Sequence, residues 1–352
     1  MGRKITTQQN QKQKMKGVVK MKMRKLFYLL LILPFLFIYT GCSKDENPTE
    51  PTKINEAQVL IEYLEANGNY LNTSNPAIIT AEDVRSLQLS NPSKLYIIDL
   101  RAASDFTGKG YIQGAVNVTL ANLVTHIKGI NTANYEKIVL VCYSGQTSGY
   151  ATSLLRLLGY NNVFSLKFGM SSWNSQVATN WTSNIGNNYT NLVTTNYPKA
   201  AAGNLPTLNT GKTSGKDILE ARINALLSSS NPFGDASIAW NTVTGNLSNY
   251  YIVNYWPANH YNLGHLPGAI QYTPKVDLAL ATNLKTLPTD KTIVVYCYTG
   301  QTSAATAAIL RVMGYDAKSL NFGINTLSYD WASNNGLTVW KQSECKEYPF
   351  VK

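Results

Sequence analysis

Two cysteines lie in matching stretches of the two halves of this chain. Cys142 falls in KIVLVCYSGQTSGYATSLLRLLGY, and Cys297 falls in TIVVYCYTGQTSAATAAILRVMGY. In each stretch an apolar run typical of a buried strand ends at the cysteine. The chain then passes through a short loop with a glycine and enters an apolar-periodic helix that ends at Gly159 or Gly314. Each thiol is therefore predicted to lie at the carboxyl end of a strand, facing the amino terminus of a helix.

This predicted position favours a negatively charged sulfur. The N–H groups of the loop and of the first helical turn lack intrahelical partners, and the helix dipole adds partial positive charge. A thiol in such a place is nucleophilic near neutral pH, whereas a cysteine that only fills a core is inert. Core packing is the alternative for a lone cysteine, but packing does not require both copies to share the pattern C-Y-[ST]-G-Q-T-S.

The elements that position the two cysteines follow the same order in each half. An amphipathic helix is predicted near residues 56–66 and again near 216–227, with strands at 96–100 and 251–255. A glycine-rich turn follows, GYIQGAV in the first half and GHLPGAI in the second. Strands that alternate with helices and are continuously apolar predict an α/β fold with parallel sheets covered on both faces.

The length of the chain allows two domains of ordinary size, since it has 352 residues and 44% hydrophobic composition. We place the first domain at residues 56–180 and the second at 213–345. Residues 181–212 are rich in Asn, Thr, Gly and Pro and are predicted to form a linker with irregular packing.

The formal charge of +11 is concentrated at the amino-terminal end. Nine of the 31 basic residues and none of the 20 acidic residues lie in residues 1–41, which leaves 22 basic against 20 acidic residues in the remainder. Nothing in this remainder argues for nucleic-acid binding.

Residues 1–41 have the pattern of an export leader. Lys22, Arg24 and Lys25 precede an apolar run at 26–39, which is too short for a comfortable membrane span. The small residues before Cys42 resemble a bacterial lipoprotein signal, which implies that Cys42 is lipidated and becomes the mature amino terminus. The alternative is an uncleaved membrane anchor, and both attach the chain to a membrane.

Residues 42–55 are charged or polar and are predicted to form a tether that packs poorly. Beyond the tether the chain has three further thiols, at Cys142, Cys297 and Cys345. An odd number of thiols, two of them in reactive loops, argues against a disulfide scaffold. Cys345 is either a resolving thiol or an incidental residue of the tail, and we favour the tail.

The order of motifs resembles the rhodanese family of sulfurtransferases. These motifs are Asp-x-Arg after a strand, Gly-His-[IL]-Pro-Gly-Ala, and C-x-x-G-x-T before a helix, and the resemblance covers the chain twice from about residue 56. It implies two rhodanese-like domains, each a parallel sheet flanked by helices. It further implies that a loop cysteine takes a sulfane sulfur from a donor such as thiosulfate, becomes a persulfide, and passes the sulfur to a thiol or cyanide.

The resemblance also implies the site residues and partners. The nucleophiles would be Cys142 and Cys297. The substrate-binding loops would consist of Tyr143, Ser144, Gly145, Gln146, Thr147, Tyr298, Thr299, Gly300, Gln301 and Thr302. The expected partners are a small sulfur donor, a thiol acceptor and a membrane held through the lipid anchor. No metal, cofactor or nucleic acid is implied.

The loop length argues against related phosphatases and arsenate reductases. Those proteins use a C-x5-R loop whose arginine grips an oxyanion, but the sixth residue after each cysteine here is Ser148 or Ser303. The lack of Arg and Lys in both loops also weakens thiosulfate as the donor, so polysulfide or a small persulfide fits at least as well. We predict that Thr147 and Thr302 donate hydroxyl hydrogen bonds to the persulfide.

The two halves differ at a cluster of charges in a way that suggests mutual pairing. Asp99, Arg101 and Asp105 of the first half correspond to Asn254, Trp256 and His260 of the second. Loss of one member alone would leave an uncompensated charge where buried, so we interpret the cluster as scaffolding. His265 of the second half is interpreted as a turn-stabilising residue.

The sequence therefore predicts a lipid-anchored sulfurtransferase of the cell envelope, bound to a bacterial outer membrane on its periplasmic or outer face. The alternative is a non-catalytic module that docks proteins or senses sulfide. Because the carboxyl-terminal domain usually carries catalysis in two-domain relatives, Cys297 is predicted to contribute more of the activity than Cys142.

Overall fold

The computed structural model describes residues 54–352, which contain two five-stranded parallel sheets. The first sheet has the order β1-β5-β4-β2-β3 and the second β6-β10-β9-β7-β8. The strands are β1 Ile78–Ile79, β2 Leu95–Asp99, β3 Ala115–Asn117, β4 Lys137–Val141, β5 Val163–Leu166, β6 Ser237–Ile238, β7 Tyr251–Asn254, β8 Ile270–Gln271, β9 Ile293–Tyr296 and β10 Ala317–Leu320. The predicted α/β class with two parallel sheets is confirmed.

Helices flank both sheets, with eight in the first half of the described residues and six in the second. In the first half they are α1 Glu56–Ala66, α2 Tyr70–Thr73, α3 Ala81–Ser90, α4 Ala103–Lys109, α5 Leu123–Lys128, α6 Gln146–Leu157, α7 Met170–Trp173 and α8 Thr179–Thr182. In the second half they are α9 Gly215–Leu227, α10 Trp240–Gly245, α11 Ala258–Tyr261, α12 Gln301–Val312, α13 Ile324–Leu327 and α14 Tyr329–Asn334. The first helix of each half, α1 or α9, is the amphipathic helix expected from the sequence.

The strand before each cysteine is the central strand of its sheet. β4 pairs with β2 and β5, and β9 pairs with β7 and β10, all in parallel. Residues 138–141 and 293–296 are fully buried, because a central strand of a covered sheet meets apolar side chains on both faces. A cysteine that follows such a strand directly is held by the most rigid part of the fold.

One cluster of buried apolar residues has members in both halves. Helices α6 and α12 pack against each other, as do α1 and α9. The approach is close: a Cβ atom on Gly149 would lie 3.1 Å from Gln301 O, and one on Gly215 would lie 2.2 Å from Tyr63 Cβ. The helix that leaves each cysteine loop is therefore also the helix that joins the two halves.

The segment between the halves is irregular but runs over the second half. Gly186 N donates to Asn325 O at 2.9 Å, and Val193 forms an antiparallel bridge with His265. Both ring nitrogens of His265 lie 2.9 Å from backbone carbonyl oxygens. This contact pattern agrees with its interpretation as a residue that stabilises the turn. Trp181, placed in the linker from the sequence, is instead a fully buried core residue.

The end of the chain returns to the first half. Lys346 N donates to Ser172 O at 3.0 Å, and Val351 forms an antiparallel bridge with Tyr111. Trp173 Nε1 donates to Pro349 O at 2.9 Å. Residues after 345, which the sequence did not assign to either domain, therefore tie the second half to the first.

The leader, Cys42 and nearly all of the tether, residues 42–53, lie outside the described residues. Within residues 54–352, no helix combines the length and the apolar character needed to cross a membrane.

Candidate functional site

The first loop directs several hydrogen-bond donors at the sulfur of Cys142. The chain turns at Gly145, whose φ of +87° is in the left-handed region that favours glycine, and α6 begins at the next residue. Gly145 N and Ser148 N donate to Cys142 Sγ at 3.1 and 3.4 Å, and Ser148 Oγ lies 3.3 Å from it. Two backbone N–H groups at a helix start and a hydroxyl group thus surround the sulfur, as the strand–loop–helix pattern predicted.

The second loop repeats this geometry with one backbone donor fewer and with its hydroxyl proton turned away from the sulfur. Ser303 N donates to Cys297 Sγ at 3.3 Å, and the thiol lies 3.5 Å from Ser303 Oγ. Ser303 Oγ also donates to Gly300 O at 3.2 Å, so its proton is directed away from the sulfur. Cys142 Sγ therefore has more hydrogen-bond donors around it than Cys297 Sγ, which favours Cys142 as the more active site, the reverse of the order expected from the sequence.

Sequence reasoning missed a pair of serines behind each sulfur. Ser148 Oγ lies 2.8 Å from Ser165 Oγ on β5, and Ser303 Oγ lies 2.8 Å from Ser319 Oγ on β10. All four side chains are buried. The signal was present, because serine occupies both positions in both repeats. The hydroxyls near the sulfurs thus belong to these serines, and the role assigned to Thr147 and Thr302 stays a prediction.

The tyrosines next to the cysteines point toward the elements that follow β2 and β7. Tyr143 OH donates to Asp105 Oδ2 at 2.7 Å, and His260 Nδ1 hydrogen-bonds with Tyr298 OH. Burial and then the Asp105 carboxylate raise the pKa of Tyr143 to about 12, while the hydrogen bonds from Tyr143 and Lys109 lower the pKa of Asp105. Both loops are therefore braced by a hydroxyl contact, made with a carboxylate in one half and an imidazole in the other.

Asp99 and Arg101 form a buried ion pair beneath the first loop. Arg101 Nη2 and Nε donate to Asp99 Oδ2 and Oδ1 at 2.7 and 3.0 Å, and Nη2 also donates to Gly110 O at 2.7 Å. Both side chains are 1% exposed. The pairing matches the scaffolding interpretation for these two residues. For Asp105 the predicted pairing within the cluster is wrong, because its carboxylate accepts hydrogen bonds from Tyr143 and Lys109 and not from Arg101.

The second half replaces this ion pair with neutral contacts. Asn254 Nδ2 donates to Tyr296 OH at 2.8 Å, and Tyr296 OH also accepts from Leu266 N at 3.2 Å. Trp256 stacks on Tyr298 with ring centroids 5.1 Å apart. Because the counterparts of Asp99 and Arg101 are both neutral, the second half has no unpaired charge at these two positions.

The two loops meet under a shared aromatic cap. Trp181 packs edge-on against Phe168 and Phe322, with centroids 5.2 and 5.0 Å apart, and its Nε1 donates to Ser144 O at 3.2 Å. The cap is buried, and Cys142 and Cys297 are only 1% and 2% exposed. Sequence reasoning missed it because its members come from separate stretches of the chain.

The predicted loop residues therefore take several different roles. Gly145 supplies an N–H group to sulfur, Ser144 Oγ accepts from Gln146 Nε2 at 3.0 Å, and Thr299 is buried. Gln146 and Gln301 reach the opposite half of the protein. The two loops predicted as separate sites thus form one continuous structure.

Cys345 does not share this environment. Its Sγ donates to Ser171 O at 3.1 Å, and burial, with help from Glu347 and Glu344, raises the pKa of this thiol to about 11. A thiol with so high a pKa is mostly protonated near neutral pH and is a poor nucleophile. Its position agrees with the preference for a tail residue over a resolving thiol.

Comparison with known proteins identifies the class that this fold and these loops define. The family described as "Rhodanese-like domain" matches residues 80–176 and 244–328. The chain belongs to this family and carries two such domains in tandem.

Two relatives each match about a quarter of the chain. The chain is 33% identical over 89 residues to a protein of Shewanella oneidensis named thiosulfate sulfurtransferase GlpE. This match covers 25% of this chain and 84% of the relative. The chain is also 32% identical over 84 residues to the uncharacterized protein YqhL of Bacillus subtilis. This match covers 24% of this chain and 64% of YqhL.

Two solved structures also match about a quarter of the chain each. A rhodanese-like domain protein from Staphylococcus aureus is 20% identical and covers 27% of this chain and 87% of its own, with a TM-score of 0.24. The human single-domain sulfurtransferase TSTD1 is 23% identical and covers 26% and 88%, with a TM-score of 0.22.

Proposed function

We propose that this protein is a sulfurtransferase that carries sulfane sulfur as a persulfide on Cys142, on Cys297 or on both. The observation that carries the proposal is the set of donors around Cys142 Sγ, which consists of Gly145 N, Ser148 N and the Ser148 hydroxyl. Such donors stabilise both a thiolate and the anionic outer sulfur of a persulfide. The similarity to a protein named thiosulfate sulfurtransferase supports the same reaction class.

The reaction has two steps. The cysteine thiolate attacks the sulfane sulfur of the donor, a new S–S bond forms, and the donor's S–S bond breaks. The electron pair of that bond leaves on sulfite from thiosulfate, on a thiolate from a small persulfide, or on hydrosulfide or a shorter polysulfide anion from polysulfide. An acceptor thiolate or cyanide then attacks the outer sulfur of the persulfide and forms a new persulfide or thiocyanate. The cysteine thiolate is regenerated, so neither step needs an added oxidant or reductant.

The charge near the loops favours a polysulfide or a small persulfide as the donor. Neither loop contains Arg or Lys, and the nearby Arg101 guanidinium is occupied by Asp99 and Gly110 O. A thiosulfate dianion would therefore bind only to N–H and hydroxyl groups, without the bidentate grip that arginine provides.

The burial of both cysteines favours a second candidate, a module that docks a partner or senses sulfide without turnover. Cys142 and Cys297 are 1% and 2% exposed beneath the aromatic cap. A sensor would accept one sulfur and keep it, whereas a transferase releases that sulfur repeatedly to an acceptor. Multiple turnovers per protein molecule distinguish the two.

Persulfide formation is the direct test of the proposal. After brief treatment of the full-length protein with polysulfide at pH 8, we expect peptide mass spectrometry to find one added sulfur atom on Cys142 and on Cys297. Cys345 serves as an internal control and should stay unmodified, because its raised pKa leaves only about one thousandth of it as thiolate at this pH. Addition of cyanide or a thiol should remove the sulfur. Unmodified loop cysteines with polysulfide, persulfide and thiosulfate alike would contradict the proposal.

We further propose that the protein is held at the bacterial cell envelope, on the outer membrane, by a lipid on Cys42. The support is the basic and apolar leader that ends in Thr40-Gly41-Cys42. We expect Cys42→Ala to abolish incorporation of labelled fatty acid and to release the protein from membranes. A Ser43→Ala variant is the matched control and should remain labelled and bound. Continued membrane association of Cys42→Ala would instead indicate an uncleaved anchor.

A further inference from the structure

The first helical residue of each loop contacts the other half of the protein. Gln146 Oε1 accepts a hydrogen bond from Phe322 N at 3.0 Å, and Gln301 Oε1 accepts one from Phe168 N at 3.3 Å. Both glutamines are only 2% exposed. The exchange is reciprocal, so each loop places its glutamine beside the loop of the opposite half.

Each glutamine also fills the space beside the opposite glycine. A Cβ atom on Gly145 would lie 2.0 Å from Gln301 Nε2, and one on Gly300 would lie 2.4 Å from Gln146 Oε1. Gly145 is the residue whose N–H donates to Cys142 Sγ. Gln301 therefore packs against a residue that orients a donor toward the sulfur of the other half.

The turn contacted by Gln301 supports the backbone of Cys142. Gly169 follows Phe168, and a Cβ atom on it would lie 2.3 Å from Cys142 O. Met170 N donates to the same carbonyl at 2.8 Å. Gln301 thus touches the Cys142 loop on one side and, through Phe168 N, the turn beneath it on the other.

The two glutamines differ in one contact. Gln146 Nε2 donates to Ser144 Oγ in its own loop at 3.0 Å, whereas Gln301 Nε2 is buried and has no hydrogen-bond partner within the described residues. A buried donor without an acceptor is unfavourable, and it becomes satisfied when an acceptor appears beside it. A persulfide on Cys142 adds an anionic sulfur to the loop against which this amide packs.

We propose that Gln301 is a positioning residue for Cys142 and that Gln146 is a positioning residue for Cys297. The reactivity of each loop then depends on a side chain from the other half, and the dependence is stronger for Gln301 because its amide is free to donate. The proposal rests on the proposed function only for its persulfide readout, since alkylation of the thiols tests it without sulfur transfer.

The test compares both cysteines within one molecule. In full-length Gln301→Met, which keeps the side-chain volume but removes both amide functions, rates of iodoacetamide alkylation and of persulfide formation are measured for each cysteine by peptide mass spectrometry. We expect Cys142 to slow about fivefold to tenfold, the scale of the lost hydrogen bond from Phe168 N, and Cys297 to slow by a clearly smaller factor. Gln146→Met should slow Cys297 by a smaller factor. It also removes the hydrogen bond from Gln146 Nε2 to Ser144 Oγ, so Cys142 is expected to slow as well.

A further variant separates positioning through the amide from support of the backbone. Gln301→Glu keeps the acceptor for Phe168 N and the volume, but it removes the amide donor and adds negative charge near the sulfur. We expect Cys142 to be at least as slow as in Gln301→Met. Recovery of the parent rate would overturn the role of the amide.

Thr306→Val is the matched control for a loosened interface. Thr306 lies on the same helix as Gln301 and accepts a cross-half hydrogen bond from Asn75 at 3.2 Å. We expect this variant to slow neither cysteine selectively. Equal slowing of both cysteines in the Gln301 variants, or slowing only of Cys297 in them, overturns the proposal. A crossed alkylation pattern without any persulfide would uphold it while contradicting the proposed function.

Discussion

Cys142→Ser is expected to remove the larger part of sulfur-transfer turnover, leaving about a tenth, while Cys297→Ser leaves most of it. Cys142 Sγ accepts two backbone N–H bonds and faces the Ser148 hydroxyl, whereas Cys297 Sγ accepts one N–H bond. A hydrogen bond to a charged group contributes about 1.5–3 kcal/mol, which corresponds to about tenfold or more in rate. The measurement is thiol- or cyanide-dependent turnover with polysulfide as donor.

The double variant and Cys345→Ser complete this experiment. Cys142→Ser/Cys297→Ser defines the baseline without either nucleophile, and Cys345→Ser should match the parent because that thiol stays protonated. If Cys297→Ser removes most of the turnover and Cys142→Ser leaves it intact, the order expected from the sequence is correct. In that case the additional N–H donor at Cys142, Gly145 N, does not increase the rate of sulfur transfer.

Arg101→Leu is expected to destabilise the fold by about 3–5 kcal/mol, because it leaves the buried Asp99 carboxylate without its partner. Gly110 O loses its donor in the same change. The free energy of unfolding of the full-length protein is measured by urea titration, followed by the fluorescence of the buried tryptophans. A normal stability combined with lost turnover would show that Arg101 acts on the substrate and not on the scaffold.

Two further variants sharpen this result. Asp99→Asn/Arg101→Leu removes both charges, as the second half does with Asn254 and Trp256, and should recover much of the lost stability. Lys109→Ala removes an exposed cation that pairs with Asp105 and should change stability little, since exposed ion pairs contribute little. A double variant less stable than Arg101→Leu alone would contradict the view that an unpaired charge is the cause.

The sequence by itself determined the repeated fold and the place of both cysteines. Strand and helix periods depend on residues a few positions apart, so the apolar runs before Cys142 and Cys297 and the helices after them are visible locally. The same short-range signals predicted the glycine turns, because a loop that curls back onto a helix start favours the left-handed conformation found at Gly145 and Gly300.

The tertiary structure alone decided which contacts the two loops make with each other. Gln146 and Gln301 belong to their own loops by sequence, but their side chains bond to the opposite half because α6 and α12 pack face to face. Trp181 joins both loops from a segment that looks like a linker. Such contacts depend on how two distant surfaces meet, and no local period or motif encodes that geometry.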